Sequence, residues 1–222
     1  TREGKVLVGT KRKKGLALHP VAMAAPTSSP ALATSTRGRL NVFTIDAAGT
    51  LTSRELKPNR RWTKPRRIGT ARSWATHTAP VTARDGEGRA WVVAVARDGI
   101  ARAQRATRGG WSRMMPLKGL RSALTATPSL TLAEDGRLHL HQVSRDGQLA
   151  VRTLDGNTWS RPQALDGTWS PYSSPAVSQM SGELQLAAVR DNGAVWVTPA
   201  RPGEADQKPS LRAHEAFSAG DS

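Results

Sequence analysis

Trp62, Trp111 and Trp159 each precede a hydroxyl residue, in the segments RWTKP, GWSRM and TWSRP. Trp74 and Trp169 share a second position, six residues before Pro80 and Pro175, where a third segment has Ser122. Arg54 and Arg152 lie five residues past a turn glycine, and Gln104 takes that place in another segment. These residue types can bind a sugar: indole faces stack on C–H groups, and long donors bind hydroxyls or carboxylates. The bland alternatives are structural. The first three tryptophans could each fill a gap between neighbouring units, where one large ring is needed per repeat, and the arginines could lie on a solvated strand face. The sequence leaves both open. Because Trp74 and Trp169 alternate with a serine, they are expected to be ligand platforms rather than obligatory core.

Catalytic chemistry has no comparable support. Among the histidines His19, His77, His139, His141 and His214, only His139 and His141 have a suggestive spacing. Two residues apart on a strand, they share a face and could offer two metal ligands, but no third ligand is placed with them. They are expected to be exposed polar residues, and no metal or cofactor is expected. No serine sits in a nucleophile elbow, and no glycine-rich loop leads from a strand into a helix. TLDGNTW, from Thr153 to Trp159, resembles the Asp-box of sialidase propellers but is one residue short between Asp155 and Trp159. A glycosidase is therefore disfavoured.

The chain has no cysteine, so disulfide frameworks and zinc–thiolate sites are excluded, without fixing a compartment. No apolar run reaches membrane-spanning length. No signal peptide is evident and the first residue is Thr1, so a processed or shortened chain is expected. The net charge of +16 favours polyanionic partners: acidic glycans, an acidic protein, or nucleic acid bound non-specifically. Much of the excess lies in KRKK (Lys11 to Lys14) and in the stretch from Arg54 to Arg72.

What positions these residues is a tandem repeat. Pro30, Pro80, Pro128 and Pro175 are spaced by 50, 48 and 47 residues. Gly49, Gly99, Gly147 and Gly193 keep the same beat, as do the three tryptophans of the first set. Three landmarks with one period indicate an array of supersecondary units. The third copy is the clearest: SLTLAE, RLHLHQV, QLAVRTL and WSRPQAL are separated by Asp/Gly or Gly/Asn turns. Alternating apolar and polar residues mark short strands, and Asp-Gly suits tight hairpins. Four antiparallel strands per unit predict the blades of an all-β propeller. At the N-terminus, EGKVLVGTKRKKGLAL aligns with DGRLHLHQVSRDGQLA, which predicts a partial fifth copy lacking its outer strand. The expected divisions are 1–25 (partial blade), 26–72, 73–121, 122–168 and 169–200 (blades), and 201–222 (tail or closing strand). The array would form a five-bladed ring or part of a larger one.

SSPALATSTRGRLNVFTIDAAGTL and SSPAVSQMSGELQLAAVRDNGAV, each followed by a further strand, resemble the blades of PLL-type and, more loosely, tachylectin-like propeller lectins. The resemblance covers Pro30 to Ala200. It implies a non-catalytic glycan-binding module, with inter-blade pockets for fucose-like or methylated sugars and several weak sites acting together. It also implies a secreted bacterial setting, sometimes within toxins. The repeat positions described above supply the candidate site: Trp74, Trp169, Arg54, Arg152, Trp62, Trp111 and Trp159. The alternative is a propeller scaffold that docks an acidic protein inside a larger secreted assembly.

Overall fold

The computed structural model describes residues 4–12, 15–180 and 182–200, and all of its regular elements are β-strands. Two residues of the basic run, 13 and 14, and the expected tail 201–222 lie outside the described residues. Among the described residues no helix is long and apolar enough to cross a membrane.

Five antiparallel sheets follow one another along the chain. Blade 1 is the hairpin β1 (Lys5–Arg12) and β2 (Gly15–Met23). Blade 2 holds β3 (Ala31–Thr34), β4 (Leu40–Ile45), β5 (Leu51–Glu55) and β6 (Arg66–Arg67) in sequence order. Blade 3 holds β7 (Val81–Arg84), β8 (Ala90–Val95) and β9 (Ala101–Thr107), with β10 (Gly110–Trp111) and β11 (Met115–Pro116) both pairing β9. Blade 4 repeats this with β12 (Ser129–Leu132), β13 (Leu138–Val143), β14 (Leu149–Asp155), β15 (Thr158–Trp159) and β16 (Gln163–Leu165). Blade 5 holds β17 (Ala176–Met180), β18 (Glu183–Val189) and β19 (Val195–Pro199). The first strands β3, β7, β12 and β17 each pack beside the next. That arrangement makes the molecule a partial β-propeller, with the first strands nearest the axis.

The core lies between blades. Strands β8 and β13 are buried throughout, as apolar strands covered on both faces must be. Alternation sends their side chains to opposite junctions. Val92 and Ala94 meet Phe43, Ile45 and Leu51 of blade 2. Trp91 and Val93 meet Leu138 and Leu140 of blade 4. Each fully buried large side chain contributes roughly 1.5–3 kcal/mol.

Connectors stitch neighbours together by the same two bonds at each step. Trp74 N–H donates to the Gly49 carbonyl at 3.1 Å, and Ala75 N–H to that of Val95 at 3.0 Å. Ser122 and Ala123 repeat this on Gly99 and Val143, and Trp169 and Ser170 on Gly147 and Val189. Gly49 and Gly147 have φ of 80° and 75°. A Cβ at either would lie 2.7 Å from the oxygen of Trp74 or Trp169. Only glycine meets both demands.

This stitching corrects the reading of the N-terminus. Ala24 N–H donates to the Gly4 carbonyl, and Ala25 N–H to that of Ile45, so Gly4 takes the place of Gly49, Gly99 and Gly147. Strands β1 and β2 are therefore the two outer strands of a blade, not its inner ones. Val6 and Val8 face Val42 of blade 2 accordingly. At the far end, Val195 and Val197 follow Gly193 as Ala101 and Ala103 follow Gly99. The alanines are 0% exposed, but the valines are 52% and 42% exposed.

Candidate functional site

The repeated tryptophan and long-donor positions converge at the blade junctions. The hydroxyl after each tryptophan anchors the outer edge. Glu55 N–H donates to Thr63 Oγ1 at 2.9 Å, Arg105 N–H to Ser112 Oγ at 3.1 Å and Thr153 N–H to Ser160 Oγ at 3.0 Å. This explains the conserved Trp-Ser/Thr pairing among the copies: the hydroxyl fixes the backbone and so fixes the indole. Trp111 then meets Phe43 edge-on, with ring centroids 5.0 Å apart, and Trp159 meets Trp91 the same way at 5.8 Å. Trp62 packs against the apolar cluster between blades 1 and 2. All three indoles are half-buried.

The long donors sit on the strand beside them. At the first junction, Arg54 Nε donates to the Thr63 carbonyl at 2.7 Å and Nη1 to the Val21 carbonyl of blade 1. At the third, Arg152 donates to the carbonyls of Ser160 at 2.9 Å, Lys118 at 2.6 Å and Leu117 at 3.3 Å. Its burial lowers its pKa by desolvation, and the three carbonyls hold the cation in place. Its Nε, and Trp159 Nε1, are buried without a partner. Arg152, Trp159 and Ser160 line a pocket of about 240 Å³ with Met115 to Lys118 of blade 3. The junction between blades 2 and 3 has the matching pocket, about 300 Å³, lined by Gln104, Trp111, Ser112 and residues 66 to 69. Gln104 is 3% exposed and its Nε2 has no partner. Being shorter than arginine, it does not reach across to the carbonyls of blade 2.

The other two tryptophans are core, which corrects their expected role as platforms. Trp74 and Trp169 are each 1% exposed. Their indole N–H groups donate to Ile68 and Asp166 carbonyls, both at 3.2 Å. A guanidinium covers each ring: Arg102 lies 5.9 Å from the Trp74 centroid, and Arg190 lies 4.2 Å from that of Trp169. No face remains for a ligand. Variability at this position is a volume exchange. Where Ser122 replaces tryptophan, Gln142 fills the space and donates to its hydroxyl at 2.6 Å; where tryptophan stands, the facing residue is Ala94 or Ala188.

The histidine pair is also buried rather than exposed: His139 is 7% and His141 0% exposed. Their rings are near parallel, 6.3 Å apart, and His141 Nε2–H donates to the Ala200 carbonyl at 3.3 Å. Among the described residues no group of three or more histidine or acidic side chains could hold a metal ion. Two contributors to the junction pockets were not singled out by sequence reasoning. Arg66 was visible only as part of a basic stretch, and Gln104 only as the exception in an arginine column. Strand register supplies the missing signal, because Ser53 pairs Arg66 as Ala103 pairs Met115.

The fold is that of a partial β-propeller, an architecture also found in lectins. Solved structures of similar fold include those of three proteins. BP39L lectin from Burkholderia pseudomallei superposes with a TM-score of 0.74 at 17% identity, covering 88% of this chain and 59% of that one. AofleA from Arthrobotrys oligospora gives 0.63 at 12% identity, over 90% and 63%. The fucose-recognising, six-bladed lectin of Aleuria aurantia gives 0.61 at 10% identity, over 91% and 69%. The chain thus spans about three fifths of the length of the first two. No protein-family model and no curated protein matches it.

Proposed function

We propose that this chain is a non-catalytic carbohydrate-binding module that takes sugars in the pockets between blades 2 and 3 and between blades 3 and 4. The observation that carries this reading is the recurrence of buried, unpartnered donors on residues that line the pockets: Gln104 Nε2 at one, Arg152 Nε and Trp159 Nε1 at the other. A buried donor without a partner is costly, and a sugar hydroxyl would satisfy it. Half-buried indoles beside them supply the apolar wall. The likeness to lectins supports the same reading, and glycan-bearing surfaces outside the cell are the setting it implies.

The test is Gln104→Leu in the full chain, read on a panel of immobilised mono- and disaccharides and by thermal unfolding. Leucine removes the orphaned amide at similar volume, so stability is expected to hold or rise slightly. Sugar binding at that junction should be lost. Retention of full binding by this variant and by Arg152→Met together would overturn the proposal.

A further inference from the structure

The cleft between blades 2 and 3 gathers four exposed cations in its outer part, where the pocket between blades 3 and 4 has two, Lys118 and Arg161, beside the buried Arg152. The blade 2–3 cleft is built from two confluent pockets of about 260 and 300 Å³ that share Ser53, Arg66 and Trp111. Arg37, Lys64, Arg66 and Arg108 line its outer part, and Glu55 is the one carboxylate among the lining residues. Glu55 is already neutralised by Arg39, whose Nη1 donates to it at 2.7 Å. The other four cations are exposed and have no carboxylate partner among the described residues.

Arg66 lies beside the next blade, 3.5 Å from where a Cβ on Gly110 would stand. The turn carrying Arg37 is tied to the turn carrying Arg108, because Thr36 donates its hydroxyl to the Thr107 carbonyl at 3.1 Å. The cations therefore converge from both blades on one recess. A recess walled by one sign of charge focuses its field inward. At the next junction the register equivalent of Arg66 is Met115, an uncharged side chain half-buried against the core. Gln104, nine-tenths buried and unpartnered, lines the inner part of this same recess.

Resting on the lectin reading above, we infer that the blade 2–3 cleft selects a sugar bearing an anionic group, a carboxylate or a sulfate ester. Gln104 binds a ring hydroxyl at the floor and Arg66 binds the anion at the mouth. A free guanidinium makes a paired, charge-assisted contact with either group. Nucleic acid fits less well, because its backbone needs a continuous basic track rather than one recess.

The experiment compares matched ligands by calorimetry on the full chain: methyl glucoside with methyl glucuronide, and methyl fucoside with its sulfate ester. At low salt at least one charged ligand should bind about tenfold tighter than its neutral parent, and the advantage should shrink at high salt. Arg66→Gln, an exposed substitution, should erase the advantage while neutral-sugar binding persists. Gln104→Leu should lower both. Equal binding of charged and neutral partners, or an advantage unchanged in Arg66→Gln, overturns this inference and leaves the lectin reading standing. No binding of any glycoside overturns both. Equal competition by single-stranded DNA, inorganic polyphosphate and charged sugars alike would reduce the cleft to a plain polyanion sink and also overturn the inference.

Discussion

His141 shows how little a residue's type reveals before its junction is known. It lies five residues past Gly136, as Phe43 lies past Gly38 and Val93 past Gly88, and all three are fully buried. Burial, helped by the neighbouring His139 charge, pushes its pKa down to about 4. The unfolded chain would titrate near 6.5. Folding therefore favours the neutral ring. Its full contribution is present above about pH 6.5 and is lost progressively as pH falls towards 4, amounting to about 3 kcal/mol. Chemical denaturation between pH 7 and 5 should show falling stability in a range above most carboxylate titration. His141→Phe, which copies blade 2, should flatten that slope; an unchanged slope would show that His141 does not titrate on unfolding.

At the scale of elements, the connector position held by Trp74, Ser122 and Trp169 exchanges volume with the strand it meets. A double-mutant cycle on Ser122→Trp and Gln142→Ala tests this. The first alone should overpack the junction by about 1–3 kcal/mol, and the second alone should leave a cavity and an unpartnered hydroxyl. Together they rebuild the arrangement of blades 3 and 5, so most of both losses should be recovered. Simple additivity of the two unfolding free energies would sink the exchange. Strands and turns were legible because alternation and Asp-Gly are local signals. The exchange partner was not, since Ser122 and Gln142 lie on different elements, 20 residues apart. The N-terminal hairpin was misaligned for a related reason. Gly4 and Gly15 have the spacing of Gly136 and Gly147, and only the Ala24 bond to Gly4 assigns the hairpin to outer strands.

For the molecule as a whole, the faces that make each junction recur whether or not a neighbour covers them. The outward face of blade 5 repeats the buried pattern of blades 2 to 4, yet Val195 and Val197 are about half exposed. An apolar sheet face exposed among the described residues should bind a hydrophobic dye. The double substitution Val195→Lys and Val197→Lys should remove most of that fluorescence without lowering the unfolding temperature. Undiminished dye binding would place the apolar surface elsewhere.

The sequence by itself determined the repeat, its period, the four-stranded unit and hence the propeller, because turns and strand alternation are written over a few adjacent residues. It also marked Trp62, Trp111, Trp159, Arg54 and Arg152 as candidate ligand residues, but together with Trp74 and Trp169. The tertiary structure decided which members of the repeat meet. It buried Trp74, Trp169 and the histidine pair, brought Gln104 and Arg66 into one cleft, and left the outward valines half exposed. Those outcomes depend on packing between blades, where each side chain's surroundings come from a copy nearly 50 residues away.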